Sequence, residues 1–290
     1  MATKVQDLIL INITTVLLGC SGLFAQLIPL PAPVIICGRL IIAGVCLMLP
    51  LLFMKSVTWI TAKADLNKIM IAGILIALSW ILFYAAIQMS SVSIGIISLY
   101  TYPCFSSIIE PFWYRQPIKK RHIFAALAVI LGVFILSSHH IEGGDVMWGL
   151  VLGVASAILF TIRNLIVKPL TLAYSSQVLM GYQCVIGAFF CLPFFAKPLL
   201  LITGNTLALL LLSGIVFTAL SHTLFVKSME RLSVTTVGII ASFQIIYAVI
   251  LGIVFLGEEI SKAVFLGGGI VLIAVVIENI FVSQEKNKAN

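Results

Sequence analysis

The sequence predicts an all-α membrane protein whose ten transmembrane helices form two inverted five-helix repeats. Three observations carry that expectation. The composition is 61% hydrophobic and only 9% charged, with a mean hydropathy of +1.21, whereas about a quarter of the residues in a soluble domain are charged. Apolar stretches of about 20 residues recur along the chain, the length that crosses a hydrocarbon layer of about 30 Å as a helix. A short motif that opens one span returns at the opening of another, half a chain away. Membrane strands would show about 10 residues of alternating polarity, and that alternation is missing. Because lipid offers no partner for backbone N–H and C=O groups, the spans are expected to be helices.

In chain order the spans fall at about 8–27, 33–54, 69–88, 92–114, 122–138, 146–167, 175–195, 205–226, 234–256 and 263–282. The first follows Lys4 and runs to Leu27. That is too long for a signal-peptide core, and it ends at Pro29, Pro31 and Pro33 rather than at a small-residue cleavage site, so it reads as a retained span. Only the short stretch IPLPAP separates it from the second span, and only Met89 and the serine pair Ser90 and Ser91 separate the third from the fourth, so each pair is antiparallel. The fourth span carries Pro103, which frees a carbonyl one turn earlier and can kink the helix. It ends in SSIIEPFWYRQPIKKRH (106–122), where Trp113 and Tyr114 suit the headgroup level and Arg115, Lys119, Lys120 and Arg121 follow. Residues 1–141 make the first repeat and 142–290 the second, in one integral membrane domain.

Charge fixes the expected orientation. With the N-terminus in the cytoplasm, inside segments collect Lys4, Lys55, Lys63, Lys68, Arg115, Lys119, Lys120, Arg121, Lys168, Lys227, Arg231, Lys286 and Lys288. Outside loops keep Lys197 and Lys262, beside Glu142, Asp145, Glu258 and Glu259. Short cytoplasmic loops retain Lys and Arg, so both termini are expected inside. The net charge of +7 is thereby a topology signal, and nucleic-acid binding loses its support. The six cysteines all lie in apolar runs without metal-ligand spacing, so they read as packing residues and no metal site or cofactor is expected.

SVSIGII (91–97) and VTTVGII (234–240) share a small-polar, Gly-Ile-Ile entry to an apolar helix, and CGRLIIAG (37–44) aligns with YQCVIGA (182–188), setting Arg39 opposite Gln183. Five is odd, so the second half enters the membrane from the opposite side and the repeat is inverted. Inverted repeats around a midplane site are a signature of alternating-access carriers. With Arg39 and Ala43 in the second helix, the proline-to-acid end of the fourth, ILGVFIL in the fifth and FLGEEIS (255–261) closing the ninth, the whole chain resembles the EamA-type ten-helix members of the drug/metabolite transporter superfamily. The resemblance implies a metabolite or amino-acid carrier, with a central cavity lined by helices 1, 3, 4, 6, 8 and 9 and with helices 5 and 10 at the periphery. The chain departs from the family pattern after the fourth helix, where RQPIKK replaces Gly-Glu.

Candidate site residues are the polar and aromatic groups at mid-span. Trp80 and Tyr84 share a face of the third helix and serve either as a substrate wall, through apolar and cation–π contact, or as packing bulk. Tyr100 reads the same way. Gln244 and Tyr247 share a face of the ninth helix, and a buried amide needs either a neighbouring helix or a wet cavity. Thr15 and Ser21 either pack against helix six or donate to substrate. A charge at the bilayer centre costs at least about 2.5 kcal/mol, which singles out Arg39, Glu110, Arg163, His222 and Glu278. Arg39 is placed to snorkel outward. A Glu110–Arg163 pair is either an inner gate or a static ion pair. Arg163 and His222 are the preferred contacts for an anionic substrate group. His139 and His140 read as solvated.

These residues predict a secondary transporter of a small polar or zwitterionic metabolite, an amino acid or related compound, acting as a monomer in a bacterial inner membrane. A nucleotide-like substrate such as S-adenosylmethionine or a nucleotide sugar is the alternative. The sequence lacks a GxxxxGK[ST] loop, so ATP does not drive it directly, and it lacks the HExxH and GxSxG motifs an intramembrane enzyme would show. A channel would need oligomeric rings of charge or carbonyls.

Overall fold

In the computed structural model, the described residues are 2–289 apart from 56, 116–119, 137–144, 203, 231–233, 235, 236, 238–240, 242 and 260. They form ten helical spans: α1 (Ala2–Ser21, continued by Phe24–Leu27), α2 (Ala32–Leu52), α3 (Lys63–Met89), α4 in two pieces (Val92–Leu99 and Tyr102–Trp113), α5 (Lys120–Leu136), α6 (Val146–Val167), α7 (Ser176–Leu200), α8 (Gly204–Gly214, a π-helical stretch Ile215–Leu220, then Ser221–Ser228), α9 (Gln244–Leu256) and α10 (Lys262–Ala289). Six spans are each long and apolar enough to cross a membrane, and shorter apolar helices run over Asn12–Leu27, Gln244–Leu256 and Lys262–Ala274. The chain is an integral membrane protein. His139, His140, most of the α9 entry and the side chain of Glu278 lie outside the described residues.

The packing repeats itself when the two halves are exchanged. α2 lies along α7, α5 along α10, and α4 meets α9, each helix against its own counterpart. The α3–α6 contact is matched by α8–α1, α3–α7 by α8–α2, and α4–α6 by α9–α1. A neighbour pattern that maps onto itself in this way is what a pseudo-two-fold axis produces. Hydrogen bonds at the helix ends repeat it: Gln26 Nε2, in the short continuation of α1, donates to the Ile87 carbonyl near the end of α3 at 2.9 Å, and Lys168 Nζ, just after α6, donates to the Met229 carbonyl just past α8. Both add an acceptor bond to a carbonyl in the last turn of a helix or just past it, where the internal ladder runs out. The two bonds lie on opposite faces of the bundle, as inversion requires.

Lipid-like surroundings supply no hydrophobic drive between helices, so association depends on close packing and interhelical hydrogen bonds. Gly73 of α3 shows the first: a Cβ there would stand 2.7 Å from Ile186 Cβ of α7. Ser79 and Ser156 show the second, each hydroxyl donating to the other's carbonyl at 3.0 and 2.7 Å and tying α3 to α6. α1 packs against α8 and α9, with Gly19 beneath Tyr247 and Gln244 of α9, while Ser21 at its end accepts from Arg39 of α2 and Tyr84 of α3.

Candidate functional site

A cavity of about 30 Å³ lies at mid-bundle, walled by α1, α2, α3, α4, α6, α8 and α9. That space holds about two water molecules. Its wall begins on α3, where the four-residue spacing of Trp80 and Tyr84 sets both rings on the inward face, with Phe83 beside them. Trp80 stacks on His222 of α8, with ring centroids 4.3 Å apart and planes inclined at 44°. The Tyr84 hydroxyl donates to the Ser21 carbonyl of α1 at 2.7 Å.

The break in α4 contributes the next part of the wall. Residues two apart diverge by about 200° on a continuous helix. Here the helix stops at Leu99 and restarts at Tyr102, with Pro103 in the new first turn, and both Tyr100 and Tyr102 line the cavity with ring centroids 5.4 Å apart. The aromatic belt continues from Tyr102 to Phe160 of α6 at 5.1 Å and to Phe225 of α8 at 5.6 Å. The Tyr100 hydroxyl donates to Gln244 Oε1, and Gln244 Nε2 donates to the Leu18 carbonyl at 2.9 Å, so one amide ties α9 to both α4 and α1.

Arg39 completes the wall and corrects the expectation that it snorkels outward: it is 2% exposed. Its guanidinium lies over the Tyr84 ring at 4.9 Å, Nε donates to Thr218 Oγ1 at 2.8 Å, and Nη2 donates to Ser21 Oγ and the Phe217 carbonyl, both at 3.0 Å. The π-helical stretch of α8 makes this possible. Its altered register offers the Phe217 carbonyl to a side-chain donor, while Thr218 Oγ1 donates to the Ser213 carbonyl at 2.8 Å. Three buried atoms of the wall keep unused hydrogen-bonding capacity: Arg39 Nη1, Tyr102 Oη and His222 Nδ1. Among the described residues no carboxylate lines the cavity. The arrangement is an aromatic box with one fixed cation, suited to a negatively charged group attached to an apolar or flat body.

Of the residues expected from sequence, Trp80, Tyr84, Tyr100, His222 and Gln244 meet at this cavity. Arg163 does not. It stands one layer behind the wall, beyond Phe160, with Nε donating to Gln183 Oε1 at 2.6 Å, Nη1 to Asn164 Oδ1 at 2.7 Å and Nη2 to Met180 Sδ at 3.6 Å. All three Arg163 nitrogens are thus directed at partners on α6 and α7 rather than at Glu110, contrary to the expected gate pair. Tyr247 is also off the wall, 39% exposed and packed over Gly19. Sequence reasoning directed Arg39 away from the cavity and missed Tyr102, Phe160 and Phe225. The available signals were the charge inside a span and the tyrosine beside Pro103. The helices that the resemblance implied all contribute, and α2 adds Arg39.

The model of the EamA-like transporter family matches residues 7–138 and again 147–280. The chain belongs to the EamA-like transporter family. It is 23% identical over 258 residues to the Bacillus subtilis (strain 168) protein "Uncharacterized transporter YxxF", covering 84% of this chain and 80% of that one. It is 23% identical over 197 residues to an "Uncharacterized transporter" of Archaeoglobus fulgidus, covering 67% and 70%. A protein of known crystal structure superposes on 96% of this EamA-family chain and 98% of its own, with a TM-score of 0.67 at 15% identity, which supports the fold alone.

Proposed function

We propose that this EamA-family transporter is a secondary carrier of small metabolites that bear a carboxylate or comparable anionic group, with amino acids and related zwitterions the leading class. The observation that carries this reading is Arg39, a buried guanidinium with one nitrogen unpartnered, set in an aromatic cavity that no carboxylate faces among the described residues. The guanidinium takes the anionic end. The aromatic faces of Trp80, Tyr84 and Tyr100 accommodate the rest of the solute and attract an ammonium group by cation–π contact. The continuous belt from Tyr100 to Phe225 also favours a second reading, a flat nucleotide-like solute that stacks. Since about 30 Å³ is smaller than any such metabolite, loading requires the walls to part, as alternating access provides.

In this proposal the protein works as a monomer in a bacterial inner membrane, with both termini cytoplasmic, and performs transport without catalysis. Uptake of labelled amino acids, organic acids and nucleotide-like metabolites into proteoliposomes, with and without an imposed pH gradient, tests it. Saturable uptake of at least one anionic or zwitterionic solute, strongly weakened in R39A, is the expected result. Transport confined to cations, or uptake indifferent to R39A, would overturn the proposal.

A further inference from the structure

Away from the cavity, the first turn of α4 is held by a residue from the far end of the chain. The Val92 and Ser93 amides donate to the Glu258 carboxylate at 2.6 and 3.2 Å, and Ser93 Oγ donates to it at 2.6 Å. A helix N-terminus leaves its first amides without internal partners. The local cap is already present, because the Ile94 amide donates to Ser91 Oγ at 3.2 Å. Glu258 therefore adds a long-range tie, from the α9–α10 connection of the second half to α4 of the first. Two glycines let it reach. Gly257 adopts the left-handed conformation that turns the chain (φ 66°), and a Cβ at Gly252 would sit 2.8 Å from the carboxylate.

This tie lies above a second one between the same two elements. At cavity level Tyr100 of α4 bonds Gln244 of α9, so α4 and α9 are joined both at the wall and at one end of the bundle. At the opposite end the pseudo-two-fold counterpart is different. Arg115 takes the left-handed turn after α4 (φ 56°) that Gly257 takes after α9, and Gln116 follows it in sequence where Glu258 follows Gly257. The carboxylate is present at one end of the bundle and replaced at the other.

We infer that Glu258 is the latch of one gate, and that its bonds to the first turn of α4 hold the cavity closed toward the face bearing the α3–α4 and α9–α10 connections. Ionised acceptors on backbone amides make strong hydrogen bonds. Glu258 is half-buried rather than fully enclosed, so water can take over those bonds as α4 and α9 separate, which makes the tie reversible. Fully buried ties such as Ser79–Ser156 have no such replacement.

Side-specific alkylation tests this without a known substrate. In a variant whose native cysteines are replaced, Leu99→Cys places a thiol on the cavity wall, and a membrane-impermeant maleimide is added to either side of oriented vesicles. E258A should raise alkylation several-fold from the α3–α4 face and lower it from the opposite face, E258Q should shift it in the same direction by less, and S93A least. If E258A folds poorly, E258Q and S93A carry the comparison. Unchanged alkylation in the folded variants, or an equal rise from both faces, would overturn the assignment and leave Glu258 a static cap.

Discussion

Arg39 and Arg163 are alike in residue type, in depth of burial and in the kind of neighbours they touch. Both are withdrawn from solvent, at 2% and 0% exposure, both direct Nε to a side-chain oxygen, and both lie against an aromatic ring. Neither has a carboxylate partner among the described residues. The difference is how their nitrogens are used. Arg163 has Gln183, Asn164 and Met180 around it, so its bonds are spent on holding α6 to α7. Arg39 keeps Nη1 unpartnered at the edge of a cavity. A buried donor left unsatisfied costs about 1–3 kcal/mol, and that cost is recovered only when an acceptor arrives. The lesson is that an intramembrane cation becomes a binding group through what its neighbours leave undone.

The largest expected effect breaks the comparison on the Arg39 side. A hydrogen bond to a charged group contributes about 1.5–3 kcal/mol, and about 1.4 kcal/mol is tenfold in affinity. R39A is therefore expected to weaken binding of an anionic solute by about ten- to a hundredfold, read as a rise in KM or a loss of uptake in proteoliposomes. R39K keeps the charge but cannot hold Thr218, Ser21 and Phe217 with one compact ammonium, so it should restore only part of the activity. Full activity in R39K would mean that charge alone matters and the fork does not.

R163A should move a different quantity. It leaves Gln183 Oε1 and Asn164 Oδ1 without their donor, at about 1–3 kcal/mol for each buried group. Thermal denaturation in detergent should show a clear fall in Tm, while KM per folded molecule stays within about twofold. A raised KM with unchanged Tm would reverse the two roles and return Arg163 to the substrate. H222A ranks next: it removes the stack on Trp80 and the free Nδ1, and a several-fold rise in KM with little change in Tm is expected.

These expectations depend on features that differ greatly in how far the sequence reveals them. The ten spans were legible because lipid enforces length and hydropathy directly, and the repeat was legible because two related entries survive at 91–97 and 234–240. Pro103 announced the break in α4. Trp80, Tyr84, Tyr100, His222 and Gln244 could be found because polar and aromatic groups at mid-span are costly or conspicuous. Arg39 was misplaced for a physical reason: its partners come from the π-helical stretch Ile215–Leu220 of a distant helix, and that stretch carries no proline or glycine to mark it. Depth along α2 gave the layer of Arg39 but not its acceptors. The spacing within α6 puts Phe160 and Arg163 on one face, three residues apart, but does not say which of the two reaches the cavity and which stands behind.

The same distinction holds at a smaller scale between two tyrosines, and it gives the smallest expected effect. Tyr100 donates to Gln244, which also reaches Leu18, so Y100F removes one link of a chain joining three helices and leaves a buried amide oxygen short of a donor. A lower Tm together with reduced uptake is expected. Tyr247 is three residues from Gln244 on the same helix yet is 39% exposed, with its Cβ packed over Gly19. Its stem fills the α1–α9 contact, and the hydroxyl adds nothing to the cavity wall. Y247F should therefore change neither Tm nor KM beyond about 0.5 kcal/mol, the usual range for a surface substitution. Were Y247F to cost as much as Y100F, α9 would have to turn its other face inward during the cycle, and an occluded wall would no longer be enough to choose between neighbouring side chains.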